Sequence, residues 1–214
     1  TDGHYYKTIR SLLGGEFWRD IDNFSERDFP DNPTILQNDL NNPNRRVKKG
    51  DKFGYDYNIR SYIAKAWLQN QITTTHWDVN YGLEMSYTNF MRHGNMRNGR
   101  APENSYGAGK RHTFDNAALK AGATYKINGR NYITAHASYG TRAPLPDQAY
   151  VSPRIKDTSV TGLKSERYLS GDISYGWNYT SFRGQITGFW TEMYDGLQKT
   201  AFYDDQYSTF MNYV

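Results

Sequence analysis

Five histidines are the residues of this chain best able to hold a metal or move a proton: His4, His76, His93, His112 and His136. No two of them stand at a spacing that would place both on one ion, and the chain has no cysteine, which excludes thiolate sites and disulfides. No Ser/His/Asp set, nucleophile elbow or phosphate-binding loop stands out. No catalytic residue, metal or cofactor is therefore expected, and the chain reads as a non-enzyme. What remains is binding chemistry. Arg92, His93, Arg97, Arg100, Tyr106, Lys110 and Arg111 make one basic stretch. Tyr150, Arg154 and Lys156 make a second, and Tyr203, Asp204, Asp205 and Tyr207 an acidic, tyrosine-bearing third. Cationic side chains gathered at a mouth would steer anionic cargo toward it.

The segments between these stretches alternate. Trp77, Val79, Tyr81, Leu83, Met85 and Tyr87 are all apolar or aromatic, whereas His76, Asp78, Asn80, Gly82, Glu84, Ser86 and Thr88 are all small, polar or charged. Successive side chains of a strand point to opposite faces, so this segment has one apolar and one wet face. The pattern returns in Ala117 to Ile127, Ile133 to Gly140, Leu169 to Tyr179 and Phe182 to Thr191, where Phe189 alone breaks the polar side. These runs are about twice the ordinary strand length of roughly five or six residues. Ten residues tilted at about 45° cover roughly 23 Å, the height of the apolar band of an outer-membrane barrel. An earlier strand, Phe53 to Leu68, changes phase, and a β-bulge near Ser61 would account for it.

Composition agrees with that reading. Aromatic residues are 16% of the chain, including 19 Tyr and 5 Trp, and Tyr and Trp favour both strands and membrane–water interfaces. The mean hydropathy is low at −0.88, and no apolar run approaches the ~18 residues of a membrane-spanning helix, but neither counts against a barrel wall, where only alternate residues meet lipid. A net charge of +4 is mild, and the cluster Arg45, Arg46, Lys48, Lys49 lacks the aromatic interleaving of a nucleic-acid site. The joins between strands run short and long in turn. Tight turns are predicted at Gln69-Asn70, Asn128-Gly129 and Thr180-Ser181, and long loops at 89–111, 141–164 and 192–208. Trp67, Trp77, Tyr125, Trp177 and Tyr179 lie near the short joins, Tyr87, Tyr139 and Trp190 near the long ones, as two interfacial girdles would. Residues 1–51 do not alternate. They read as an extracellular loop region, with a short helix between Tyr5 and Trp18, and residues 52–214 read as barrel strands and loops. The chain stops at Asn212-Tyr213-Val214 within a strand pattern, so a piece of a longer wall is expected.

One stretch resembles a known family. Tyr139-Gly140-Thr141-Arg142-Ala143-Pro144, then Asp147 and Tyr150, followed by Leu163-Lys164-Ser165-Glu166, is similar to paired motifs in the barrels of TonB-dependent outer-membrane receptors. Ser165 stands where those barrels usually have Pro. The resemblance covers about 131–195 and implies a 22-stranded barrel with a plugged lumen. It also implies an outer membrane of a Gram-negative bacterium and import of a nutrient driven by the TonB complex, which would contact a plug segment outside this chain. The cargo class stays open among siderophores, glycans, peptides and cobalamin, and a surface lipoprotein partner is compatible. Residues 145–162 contain no His, which counts against haem.

The expected fold is thus all-β: an antiparallel transmembrane β-barrel wall, about seven strands of a larger plugged barrel, with long extracellular loops. Val79, Leu83, Ala121, Ile133, Ile173 and Ile186 are expected to face lipid, and Asp78, Glu84, Lys120, His136, Asp172 and Arg183 the lumen or plug. Ligand contacts are expected from Arg92, His93, Arg97, Arg100, Tyr106, Arg111, Tyr150, Arg154, Tyr203 and Tyr207. The competing readings are a passive porin or channel, a soluble β-sandwich binding module, and an outer-membrane hydrolase with a dyad scattered in its loops.

Overall fold

A computed structural model describes residues 1–10, 15–197, 200–204 and 209–213. Its strands are β1 (Asp2–Thr8), β2 (Trp18–Arg19), β3 (Arg46–Val47), β4 (Lys52–Thr73), β5 (Trp77–Gly94), β6 (Gly107–Ala108), β7 (His112–Lys126), β8 (Asn131–Arg142), β9 (Glu166–Asn178), β10 (Arg183–Tyr194), β11 (Thr200–Asp204) and β12 (Thr209–Tyr213). Two short helices, α1 (Asn23–Asp28) and α2 (Pro33–Leu36), precede β3. The protein is all-β. Its main sheet runs β1-β4-β5-β7-β8-β9-β10, every neighbour antiparallel, with β6 paired to the end of β5. The sheet is open, with β1 and β10 as its edges.

Register carries the alternation from strand to strand. Val79 faces Ala123, which faces Ala135, which faces Ile173, which faces Gly188. Leu83, Leu119, Tyr139 and Leu169 make a parallel row. One face of the sheet is therefore apolar across these strands, and its large side chains lie open: Leu68, Met85, Leu119, Ile173 and Ile186 are all more than half exposed. Val79 and Asp78 point to opposite sides. Asp78, Glu84, Lys120, His136, Asp172 and Arg183 share the polar face, where Phe189 stands opposite Asp172.

The turns lie at one end. Asn128 closes the β7–β8 turn, its Oδ1 accepting from the backbone N–H of Arg130 and Asn131, each at 2.9 Å. Tyr179 N–H donates to Phe182 O across Thr180-Ser181. The β4–β5 turn is not at Gln69-Asn70. β4 continues to Thr73, and Thr74 makes the turn, its Oγ1 accepting from Trp77 N at 3.0 Å while its N–H donates to Trp77 O. Gln69 and Asn70 are ladder residues opposite Gly82 and Tyr81.

Nor is there a bulge near Ser61. Pairing runs unbroken from Tyr57↔Gly94 to Thr73↔Asp78. The phase change is a change of environment. Toward the turns, Ala64, Ala66, Leu68 and Ile72 lie on the open apolar face. Toward the loops, Tyr57 and Ile59 lie on the other face, because the connection after β8 folds over it. There Tyr57, Ile59, Phe90, Phe114, Ala149 and Tyr150 form a buried cluster, with Phe90 and Phe114 stacked at 5.6 Å. Hydrophobic residues follow whichever face excludes water. Trp67, expected in a turn-end girdle, sits instead on the polar face opposite Glu84 and is 75% exposed.

The first 51 residues are more ordered than a loop reading suggests. Asp2–Thr8 is a strand on β4, so the helix expected between Tyr5 and Trp18 does not begin there, and residues 11–14 of that stretch lie outside the described residues. Tyr5 stacks on Tyr57 at 5.1 Å, and His4 Nε2 lies 2.6 Å from Asp56. Those cross-strand pairs hold β1 without an alternating pattern. Beyond it, the fully buried carboxylate of Asp20 gathers Asn38 Nδ2 (3.0 Å), Gly54 N (2.9 Å) and the guanidinium of Arg45.

Candidate functional site

The polar face carries paired charges rather than a single constellation. Lys65 reaches Glu84 at 2.9 Å, Lys126 reaches Asp78 at 2.7 Å, and His136 Nδ1 lies 3.0 Å from Asp172. Between them run hydroxyl pairs, Thr124 with Thr134, Ser138 with Ser170 and Ser174 with Thr187. Two glycines make room for polar-face rings. A Cβ on Gly122 would meet the His136 ring at 2.3 Å, and one on Gly176 the Tyr132 ring at 2.2 Å. Among the described residues Lys120 and Arg183 make no ion pair within this wall, whereas Asp172 pairs with His136. Toward the loops this face hollows into a groove of about 620 Å³ lined by Ile63, Lys65, Glu84, Lys120, Arg142 and Leu145, among others.

The family-like motif residues close the base of the loop that roofs this groove. Arg142 and Glu166 are direct partners in the β8–β9 register, and Arg142 Nε donates to Glu166 Oε2 at 2.5 Å. Pro144 is fully buried. The segments around Gly140-Arg142-Pro144 and Leu163-Lys164-Glu166 thus form the two ends of one clamp, with Leu163 packed against the buried aromatic cluster. Lys164 extends away and pairs with Asp195.

Two residues expected to touch a ligand are interior supports. Arg92 is 2% exposed. Its guanidinium lies over the Tyr57 ring, Nε donates to Pro153 O at 2.7 Å and Nη1 to Ser105 O at 2.9 Å. It ties the loop after β5 to the loop after β8. Tyr150 is wholly buried against Phe90, and burial pushes its phenol well above the ordinary tyrosine value. Arg92 lies near the end of β5 and Tyr150 in the connection after β8, and the connections at this end fold into a core around them. Arg100 is also largely enclosed and pairs with Asp22 at 3.0 Å. Arg97 donates to Pro102 O at 2.9 Å. His93 sits in the ladder opposite Ala108, on the other face of the sheet from His112, which is buried at the edge of the Tyr150 ring. Burial, helped by Lys110, holds His112 below the usual histidine value. Arg111 donates to Asn89 Oδ1 at 3.3 Å. Tyr106 and Arg154 are exposed, Arg154 over the Tyr55 ring at 5.1 Å. Tyr203 lies near Arg27, and Tyr207 falls outside the described residues. Among the described residues no group of three His, Asp or Glu is placed to hold a metal.

No family model matches the chain, and neither a curated protein nor a solved structure does. Geometry and sequence pattern therefore carry the functional reading. Residues that pattern reading passed over are Lys7, Arg10, Trp18, Phe53 and Tyr55, which line cavities at the loop end. The available signal was the interleaving of cations with rings around Tyr5-Tyr6-Lys7 and Phe53-Gly54-Tyr55.

Proposed function

We propose that this sheet is a stretch of outer-membrane β-barrel wall, belonging to a receptor that binds a nutrient outside the cell and imports it with TonB-derived energy. The observation that carries the reading is the single open apolar face. Soluble monomers rarely leave an apolar patch larger than a few hundred Å² uncovered, and a continuous patch of this kind marks an interaction surface. Here it spans six strands, alternates with a charged face, and is flanked toward the turns by Trp77 and Tyr125, whose rings approach to 4.8 Å. Those are the attributes of a lipid-facing wall.

Strand length fits. At about 3.3 Å per residue, the 22 residues of β4 rise roughly 70 Å. That is enough to cross a tilted apolar band and still stand above it as the support for the loop-end cluster. The segregation of tight turns from long connections fits as well, as does the Arg142–Glu166 clamp at the family-like motif. Active transport, rather than passive conduction, rests on that resemblance. The test is uptake by cells carrying the full-length parent protein. Collapse of the proton-motive force should stop accumulation of the cognate nutrient, whereas continued equilibration at the same rate would mean a porin.

A further inference from the structure

Two cavities meet at the loop end beside β1. One, of about 460 Å³, is lined by Lys7, Asp22, Phe53, Tyr55, Asn98 and Arg154, among others. The second, of about 420 Å³, has Lys7, Arg10, Trp18, Arg19 and Phe53 in its wall. Lys7, Ile21, Asn23 and Phe53 belong to both, so the two are halves of one elongated cleft. Each half falls in the size range of small-ligand sites, roughly 300–1,000 Å³. The cleft occupies an irregularity of the sheet. The β1–β4 register shifts between Tyr6 and Thr8, and Gly54 takes φ +80°, which a side chain would resist. Such bulges re-aim side chains beside binding sites.

The charges in this cleft are unequal. Asp22 is engaged by Arg100, and Arg19 by Glu26. Lys7, Arg10 and Arg154 make no ion pair among the described residues. Two of them are nevertheless held in place: Lys7 Nζ stands 4.4 Å from the centre of the Phe53 ring, and Arg154 lies over Tyr55. A cation fixed on a ring loses less side-chain freedom when it takes an anion than a freely waving surface lysine does. Half-exposed Trp18 adds an open aromatic surface to the second half.

We propose that this cleft binds an organic polyanion, its acidic groups taken by Lys7, Arg10 and Arg154 and its body lying along Trp18, Phe53 and Tyr55. The acidic groups are carboxylates or phosphates, both of which guanidinium and ammonium donors accept. That this ligand is also the imported cargo rests on the transport reading; that the cleft binds it does not.

The test is calorimetric titration of the folded, detergent-solubilised protein with trigalacturonate, with inositol hexakisphosphate and with neutral maltotriose. At least one polyanion should bind, weaken as salt is raised, and lose about tenfold or more in affinity in each of Lys7→Gln and Arg154→Gln. Arg130→Gln, at the opposite end of the sheet, should bind as the parent does. Trigalacturonate alone binding assigns carboxylates, and the inositol phosphate alone assigns phosphates. Maltotriose binding as tightly as the acids, indifference to both cleft substitutions, or no binding of either polyanion at millimolar concentration by protein with an intact β spectrum would each overturn the proposal. None of these outcomes depends on membrane insertion or uptake, so failure here and failure of the transport reading are told apart.

Discussion

Arg92 is the residue on which most of the loop end converges. It donates to carbonyls of two different connections and covers a buried tyrosine ring. Arg92→Ala would leave Pro153 and Ser105 carbonyls short of partners in a site with little water, at a cost of about 2 kcal/mol or more. Denaturant unfolding should register that loss, and limited proteolysis should reveal new cleavage within 95–106 and 150–158. Arg92→Lys keeps the charge without the fork and should recover only part of the stability. Asp56 makes a second prediction. Burial alone would raise its carboxyl, but hydrogen bonds from Lys52, Asn95 and His4 outweigh that and hold it below the ordinary carboxylate value. A folded value below the unfolded one contributes stability present above the unfolded value, near pH 4, and lost as pH falls through the folded one. Amide protection of Asp2–Tyr6, corrected for intrinsic exchange, should therefore decline as pH falls from about 5 to about 3. In Asp56→Asn it should be lower at pH 5 and flat across that range. At this scale the sequence was a partial guide. A run of arginines and tyrosines between strands looks the same whether it reaches for a ligand, as Arg154 is placed to do, or is folded inward, as Arg92 and Tyr150 are, because burial is set by long-range packing that local pattern does not encode.

At the scale of elements, period-two alternation was strong enough to place strands and their faces, though β5, β8 and β10 run on into stretches expected as loop, to Gly94, Arg142 and Tyr194. β8, β9 and β10, and the turn-side parts of β5 and β7, were legible because every second residue there answers to one environment. β4 was misread because its two ends answer to different ones. Its hydrophobic residues change face between Ile59 and Ala64 without any break in pairing, and a reader who holds the environment constant must invent a bulge. The misplaced turn has a similar origin: Gln69 and Asn70 are turn-prone by type, yet Ile72 continues the phase of Leu68, and Thr74 supplies the hydrogen bonds that close the hairpin. The switch of faces makes a paired prediction. Phe90→Ala removes a fully buried ring from the loop-end cluster and should cost about 3–5 kcal/mol. Met85→Ala, on the open face of the same strand, should cost far less in detergent. The opposite ranking in equilibrium unfolding would put the core on the wrong face. A deletion of 92–108 would remove Arg92 and the end of β5 as well as the exposed tip, so loop function is better probed through single residues such as Arg154.

For the molecule as a whole, a membrane wall requires a different solvent at each face of the sheet. In the proposed orientation Leu83 and Ile173 lie in hydrocarbon, while Glu84 and Asp172 face an aqueous or plugged interior. An Arg at Leu83 should then cost about 2–4 kcal/mol, and one at Glu84 much less. The absence of cysteine from the chain permits a more direct reading. Single cysteines placed one at a time from Trp77 to Tyr87 can carry a nitroxide label in protein reconstituted into lipid vesicles. Collision of each label with oxygen, which concentrates in lipid, and with a water-soluble nickel chelate is then measured by electron paramagnetic resonance. Oxygen accessibility should peak at Val79, Tyr81, Leu83 and Met85, and nickel accessibility should be relatively higher at Asp78, Asn80, Gly82 and Glu84, the two profiles out of phase with a period of two. Equal nickel accessibility on both sets would mean that the apolar face meets water or protein, and would contradict the membrane wall.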